Sequence, residues 1–326
     1  MVNRRQYMAI LCAGEILFDF ISKSPNKGLG ESELFEKRPG GSPFNVAVGL
    51  AKLGADVSFF TKIAQDQFGK FLFEYLKENG VNTDYSFTAE GLKTCLAFAA
   101  VDAQGKAEYE FYRDNAADTQ LKLKDVENLD YEKFNIFHFG SIALIDEPTS
   151  STLIRLFDNF ISRGLLTSFD PNVRKSLLKN RESYDNLVKS IIKKVDILKM
   201  SDDDLFYITE KKDVEEAIST LSIKEGSILF VTLGSEGSLV YKDGVSRKVP
   251  GYKVKVVETV GCGDSFMAGI LYKLKDFSKD DLQSISLEKL VEYADFANKC
   301  AGIVATRQGA ASAMPTLSEV SQFEFL

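Results

Sequence analysis

Short apolar runs alternate with amphipathic stretches along almost the whole chain. Residues 8–13 are apolar without a break and stop at Gly14, the pattern of a strand buried on both faces. Residues 43–53 follow with helical spacing, a proline near the start and Gly54 as the stop. The same reading predicts strands at 57–63, 134–139, 165–169, 196–200, 228–233, 239–241 and 245–249, and an extended run at 253–257. Helices are predicted at 68–79, 149–162, 184–194 and 287–305. Repeated β-α-β units imply an α/β fold with a mostly parallel sheet covered by helices on both faces.

Two segments break this rhythm. Residues 15–37 have strand-like ends around Ser24-Pro25-Asn26-Lys27-Gly28. Residues 94–101 and 107–113 are β-rich and joined by a turn at Asp102–Gly105. These four strands are expected to form a small separate sheet, a lid on one α/β domain spanning residues 1–326.

Composition narrows the chemistry. The 326 residues are 44% hydrophobic and 27% charged, as in soluble globular proteins, with a net charge of −7 that argues against a nucleic-acid surface. Cys12, Cys95, Cys262 and Cys300 are far apart and form no CxxC pair, which suits reduced thiols in a cytoplasmic enzyme. The single histidine, His138, lies within Phe-His-Phe on a strand and reads as a core residue. No apolar run reaches membrane-spanning length.

The richest stretch is 258–270, Glu-Thr-Val-Gly-Cys-Gly-Asp-Ser-Phe-Met-Ala-Gly-Ile. Gly261 and Gly263 let backbone N–H groups converge where a helix begins, a setting that favours an anion, phosphate above all. Asp264 puts a carboxylate in the first helical turn, where it could accept a proton from a substrate hydroxyl. The same residues also suit an ordinary capped helix, and companion motifs must decide. Gly40-Gly41-Ser42-Pro43-Phe44-Asn45 opens another helix, and Gly14-Glu15 to Asp19 follows the first strand at the sheet end where ligands bind. Arg113 and Arg174 could bind hydroxyls or phosphate oxygens. No P-loop or dinucleotide fingerprint is present, which disfavours a dehydrogenase.

In this order, the motifs resemble those of the ribokinase-like carbohydrate kinases (the phosphofructokinase-B family), across nearly the whole chain. Residues 40–54 look like the family's N-terminal signature and 258–270 like its C-terminal DTxGAGD signature. The resemblance implies a three-layer α/β/α fold with a β lid and ATP-dependent phosphorylation of a sugar's primary hydroxyl. Asp264 would be the base, with the amides around Gly261, Cys262 and Gly263 as the anion hole. Asp19, Gly41, Asn45, Arg113 and Arg174 would contact the sugar. Lys199, Thr232, Gly234, Gly237 and Asn298 would lie along ATP. Asp204 would serve Mg2+ through water, and backbone oxygens near Glu258, Val260, Val304 and Gly309 would form a monovalent-cation loop for K+.

The segment Phe111-Tyr112-Arg113 with Ala116-Ala117-Asp118 looks most like fructokinases, making fructose 6-phosphate the first expected product. 2-Keto-3-deoxygluconate kinase is the runner-up, followed by ribokinase or aminoimidazole riboside kinase. An inactive sugar-sensing scaffold is the non-enzyme alternative, opposed by the intact Gly261, Gly263 and Asp264. A homodimer through the lid edges is a further expectation. Three departures stand out: Glu258 for the usual Asp, Cys262 for a smaller residue in an anion hole it could make oxidisable, and Ser201–Asp204 for Asn-x-x-Glu.

Overall fold

In the computed structural model, which describes residues 9–24, 26–101 and 107–324, the apolar runs pair side by side. The strands are β1 (Ala9–Ala13), β2 (Leu17–Ser22), β3 (Phe35–Gly40), β4 (Val57–Ala64), β5 (Ser86–Ala89), β6 (Cys95–Val101) and β7 (Ala107–Tyr112). They continue as β8 (Phe134–Gly140), β9 (Leu166–Asp170), β10 (Ile197–Ser201), β11 (Ile228–Thr232), β12 (Gly237–Lys242) and β13 (Val245–Pro250). Nine strands form one sheet in the order β13-β12-β11-β10-β9-β8-β1-β4-β5. Pairing is parallel from β11 through β5, and the β11-β12 and β12-β13 contacts are antiparallel.

Alternation along each central strand decides which core a side chain joins. Ile10 and Cys12 face one helical layer and Leu11 and Ala13 the other; Phe230 and Leu229 divide in the same way on β11. One layer contains helices Ser42–Lys52, Gln67–Glu78, Cys262–Leu274 and Leu287–Ala305. The other contains Thr149–Ser162, Arg181–Ile192, Asp202–Thr209 and Val214–Thr220. The expected three-layer architecture is therefore present. Each large apolar side chain buried between layers contributes roughly 1.5–3 kcal/mol.

Strand β1 is flanked by β4 on one side and β8 on the other, so chain progression reverses direction between β1 and β8. A crevice opens beyond the carboxyl ends of strands at such a reversal. The four other strands form a separate sheet in the order β3-β2-β6-β7, as expected from the two segments that broke the β-α rhythm. Asp19 on β2 pairs in register with Arg38 on β3.

Residues 253–257, read as extended, form no strand. The N–H groups of Val257 and Glu258 instead reach the carbonyl of Ala305, at the end of helix Leu287–Ala305. Strand β5 and helices Asp202–Thr209, Val214–Thr220, Lys279–Ser284 and Leu317–Gln322 are additions that the pattern did not predict. Met8, Pro25 in the first predicted turn and the Asp102–Gly105 turn lie outside the described residues. Among the described residues, no helix is long and apolar enough to cross a membrane.

Phe137 stacks on Phe139 and Phe160 and is fully buried. Phe137→Ala is expected to lower unfolding stability by about 3–5 kcal/mol, the usual cost of such a cavity. Urea denaturation checks this; a loss below about 1 kcal/mol would contradict the packing described.

Candidate active site

The crevice at the reversal is a cavity of about 1160 Å³, ample for two small ligands end to end. Its floor is made from strand ends: Glu15 after β1, Ser141 after β8, Lys199 and Ser201 on β10, and Thr232 on β11. The small sheet walls one end through Asp19, Ile21, Ala99, Tyr109 and Phe111. Gly234, Gly237, Asn298 and the 251–254 segment wall the other.

Two helices begin at the same point of this cavity. Gly261, the residue before helix Cys262–Leu274, has φ 82°, and a Cβ there would lie 2.8 Å from the Cα of Ala310. Only glycine makes that turn without strain. The turn places Asp264 in the first turn of the helix, buried at 8% exposure but lining the cavity. Its Oδ1 accepts from the Ser42 hydroxyl at 2.7 Å, and its Oδ2 from Asn45 Nδ2 at 2.8 Å. Ser42 and Asn45 belong to the first turn of helix Ser42–Lys52, so two helix N-termini face one carboxylate. Each oxygen keeps a further lone pair with which it can accept a proton.

Lys199 lies beneath the glycine turn. A Cβ on Gly263 would come 2.9 Å from its Nζ, so the missing side chain lets the ammonium approach the backbone. Nζ donates to Asp170 Oδ2 at 2.8 Å, and both groups are buried. Burial alone would depress the Lys199 ammonium, but Asp170, Asp204 and Asp264 more than offset this and raise its pKa. Burial pushes the Asp170 carboxyl up to about 6, against the pull of Lys199, which still leaves it ionised at neutral pH.

Burial dominates the small-sheet end as well. It raises Glu15 to about 7, opposed by its own backbone hydrogen bond and by Arg113. It raises Asp19 to about 6, opposed by Arg174 and reinforced by Asp264. Glu15 Oε1 accepts from the Ser42 N–H at 3.0 Å, whereas its buried Oε2 has no partner. An uncompensated acceptor at that position can receive a hydroxyl from a ligand.

Comparison with known proteins now bears on this arrangement. The profile of the "pfkB family carbohydrate kinase" matches residues 9–317. The chain belongs to that family. It is 38% identical over 316 residues to probable fructokinase-5 of Arabidopsis thaliana, covering 96% of each chain. It superposes on a fructokinase with bound ATP from Xylella fastidiosa with TM-score 0.86, 30% identity and coverage of 96% and 97%. A fructokinase double mutant from Vibrio cholerae O395, bound to fructose, ADP and potassium, aligns with TM-score 0.84, 27% identity and coverage of 97% and 98%.

Most positions expected of a pfkB family kinase converge on the cavity. Asp19, Gly41, Asn45, Arg174, Lys199, Asp204, Thr232, Gly234, Gly237, Glu258, Val260, Gly261, Cys262, Gly263, Asp264 and Asn298 all line it. Arg113 does not. Its Nε and Nη2 donate to Asp118 and its Nη1 to Asp146, which draws the guanidinium away from the cavity lining. Two carboxylates in direct contact account for its position off the lining. Asp204 is also committed: Oδ2 accepts from the Ser201 N–H and hydroxyl and Oδ1 from the Val173 N–H, closing a capping box. Asn298 donates to the carbonyls of Val249 and Pro250, both at 3.2 Å, and thereby fixes the cavity wall.

At the expected cation loop, Val304 is buried and lies outside the cavity lining, with its carbonyl accepting from Arg307 N–H. Gly309 directs its N–H to Glu258, which also pairs with Arg38. The Cys262 thiol is pushed up to about 12, chiefly by burial and then by Asp264 and Glu258. It stays protonated at neutral pH, so the oxidation-prone cradle expected from the sequence is disfavoured. His138 is neutral in the core, its Nδ1 3.0 Å from the Ser168 hydroxyl and its pKa lowered to about 3 by burial and then by Lys199.

Sequence reasoning gave no role to Ser42, Asp170 or Arg38. Ser42 stood inside a recognised motif, and its place one turn before Asn45 was the available signal. Asp170 and Arg38 carried none, since their partners are 29 and 220 positions away.

Because the Glu15 pKa rises on folding, the native state binds a proton that the unfolded chain releases between pH 4.5 and about 7. Stability from this group is therefore lost as pH rises through that window. Glu15→Gln is expected to melt above the parent at pH 8 and to lose that advantage near pH 5, as thermal melts at the two pH values will show.

Proposed function

We propose that this kinase transfers the γ-phosphoryl group of ATP to the primary hydroxyl of D-fructose, giving fructose 6-phosphate and ADP. The observation that carries the reading is the placement of Asp264 beside the Gly261–Gly263 turn, in one cavity with Asp19 and Arg174 at the far end. The sugar hydroxyl gives its proton to the Asp264 carboxylate while its oxygen forms the new bond to phosphorus and ADP departs. Ser42 and Asn45 orient that carboxylate. The amides of Gly261, Cys262 and Gly263 and the Lys199 ammonium neutralise charge gathering on the phosphoryl oxygens. Thr232, Gly234 and Gly237 flank the nucleotide, along the wall that Asn298 braces. The small sheet acts as a lid that keeps water from the phosphoryl group.

Among the described residues, no group of three or more acidic, histidine or cysteine side chains converges as a metal cage. Magnesium accompanying ATP would be held by phosphate oxygens and water, as is usual for this ion, and would offset phosphate charge. Both oxygens of Asp204 already accept protein hydrogen bonds, which favours a capping role over a direct ligand.

The sugar end favours a neutral polyol. Glu15 and Asp19 offer acceptors for hydroxyls, and Asp19 already faces Arg174. A sugar acid would meet those carboxylates with Arg174 as the arginine that lines this end, since Arg113 lies off the lining and pairs with Asp118 and Asp146. The fructokinase relatives support the same choice. Free thiols at Cys12, Cys95, Cys262 and Cys300 fit a reducing compartment such as the cytoplasm.

Asp264→Asn is expected to lower kcat by roughly 10²–10⁴-fold in a coupled ADP-release assay while sugar binding persists. Near-parental turnover would refute the base assignment. In the same assay fructose should exceed 2-keto-3-deoxygluconate and ribose in kcat/KM, and negligible fructose turnover would remove it. The open edges of β3 and β7, with Tyr109 and Tyr112 exposed, are expected to pair two copies. Light scattering at the monomer mass would count against that pairing.

A further inference from the structure

Two buried aspartates pair with lysines at opposite ends of β9 and β10. At the end away from the cavity, Asp196 has both oxygens in use. Oδ2 accepts from the Thr167 N–H and hydroxyl, each at 2.9 Å, and Oδ1 accepts from Lys224. At the cavity end, Asp170 is buried at 1% exposure and its Oδ1 has no protein partner. Its Oδ2 accepts from Lys199 Nζ at 2.8 Å, the one hydrogen bond its side chain makes among the described residues. Asp196 thus ties strand to strand, whereas Asp170 holds an ammonium.

The setting of Lys199 is equally specific. The register that pairs Leu198 with Phe169 brings the next residues, Lys199 and Asp170, side by side. A Cβ on Gly263 would lie 2.9 Å from Lys199 Nζ, so the ammonium sits directly under the glycine turn. The side chain is buried, yet it lines the cavity. Charged groups face it from three elements: Asp170 on β9, Asp204 in helix Asp202–Thr209 and Asp264 in helix Cys262–Leu274. From β8 it is faced by His138, which is neutral. Replacing a buried ion pair by apolar side chains of similar volume is often neutral or stabilising, so stability does not account for this one.

We propose that Asp170 is a positioning residue of the phosphoryl-transfer site: its carboxylate keeps the Lys199 ammonium charged and aimed at the underside of the Gly261–Gly263 turn. Asp170 lies off the cavity lining and touches no reacting atom. It acts through Lys199, which has three donors and commits one of them to Asp170. The others are left for phosphoryl oxygens. Without Asp170, burial would press Lys199 toward its neutral form, with Asp204 and Asp264 left to oppose it. A neutral amine there would offer the incoming phosphate no countercharge.

The kinetic role of Asp170 rests on the sugar-kinase reading above. Its hold on Lys199 is read without sugar, by calorimetric binding of a non-hydrolysable ATP analogue. Asp170→Asn keeps the shape and an acceptor oxygen but removes the charge. It is expected to lower kcat with fructose about 10- to 100-fold, the scale for a misplaced catalytic group. Its turnover and its analogue affinity should both fall as pH rises, at least about one pH unit below any such fall in the parent, because Lys199 then loses its proton earlier. Turnover within about two-fold of the parent overturns the proposal, and so does a loss whose pH profile stays parental. Should D170N fail to fold, K199M/D170N removes both charges of the pair and decides. Its kcat is expected to fall about 100- to 1000-fold, as when a donor to the transition state is lost, and near-parental turnover refutes the proposal. A parent that turns over no sugar sinks the kinase reading alone, since analogue affinity against pH still supports or overturns the role of Asp170.

Discussion

The meeting of two helix N-termini on one carboxylate organises the cavity. Asp264 belongs to one helix, and its two oxygens are held by Ser42 and Asn45 from another, more than 200 positions away in sequence. Each helix directs unpaired N–H groups and a partial positive charge at the same space. The carboxylate partly satisfies those charges, and a phosphate could satisfy what remains. Neither helix could shift without breaking a buried charge-assisted hydrogen bond, typically about 1.5–3 kcal/mol. The precision of the site therefore comes from packing in the layer that contains both helices, not from the loops alone.

Around that point, charge is arranged by depth. Asp170 and Lys199 neutralise each other under the glycine turn, whereas Glu15 and Asp19 are buried with less compensation. A buried carboxylate with an unpartnered oxygen costs stability, and such costs gather at functional sites. Glu15 lines the cavity, and its Oε2 has no protein hydrogen-bond partner. A ligand hydroxyl would relieve it, so the strain of the free protein becomes part of the affinity for a polyol. The same logic disfavours an acidic substrate at that end.

The alternation of strands and helices was legible because both faces of the main sheet are covered, so each central strand is an uninterrupted apolar run. Helices Thr149–Ser162 and Leu287–Ala305 were readable to the residue from their amphipathic period. Helix Asp202–Thr209 was not, because three successive aspartates hide a start signal that only the Ser201–Asp204 capping box explains. Residues 253–257 look like a strand by composition but pair with none, and a helix end instead takes the N–H of Val257 and of the next residue, Glu258. Glycine turns and the acid after them were visible in sequence since their chemistry is local. The pairing of Arg113 with Asp118 and Asp146 was not legible, because no spacing rule encodes their approach.

Long-range charge pairing is thus where sequence reading stops, and it is also where this chain departs from its family's signature. Glu258 is one methylene longer than the usual aspartate, and that extra reach matters only if something stands at the longer distance. Arg38 does, approaching from β3 of the small sheet. The two residues make sense together: the longer acid reaches a guanidinium that Glu36 already orients, and a buried guanidinium left short of partners would cost several kcal/mol. The same arginine that lies in register with Asp19 also holds Glu258, so one side chain links the small sheet to the loop that precedes the anion cradle.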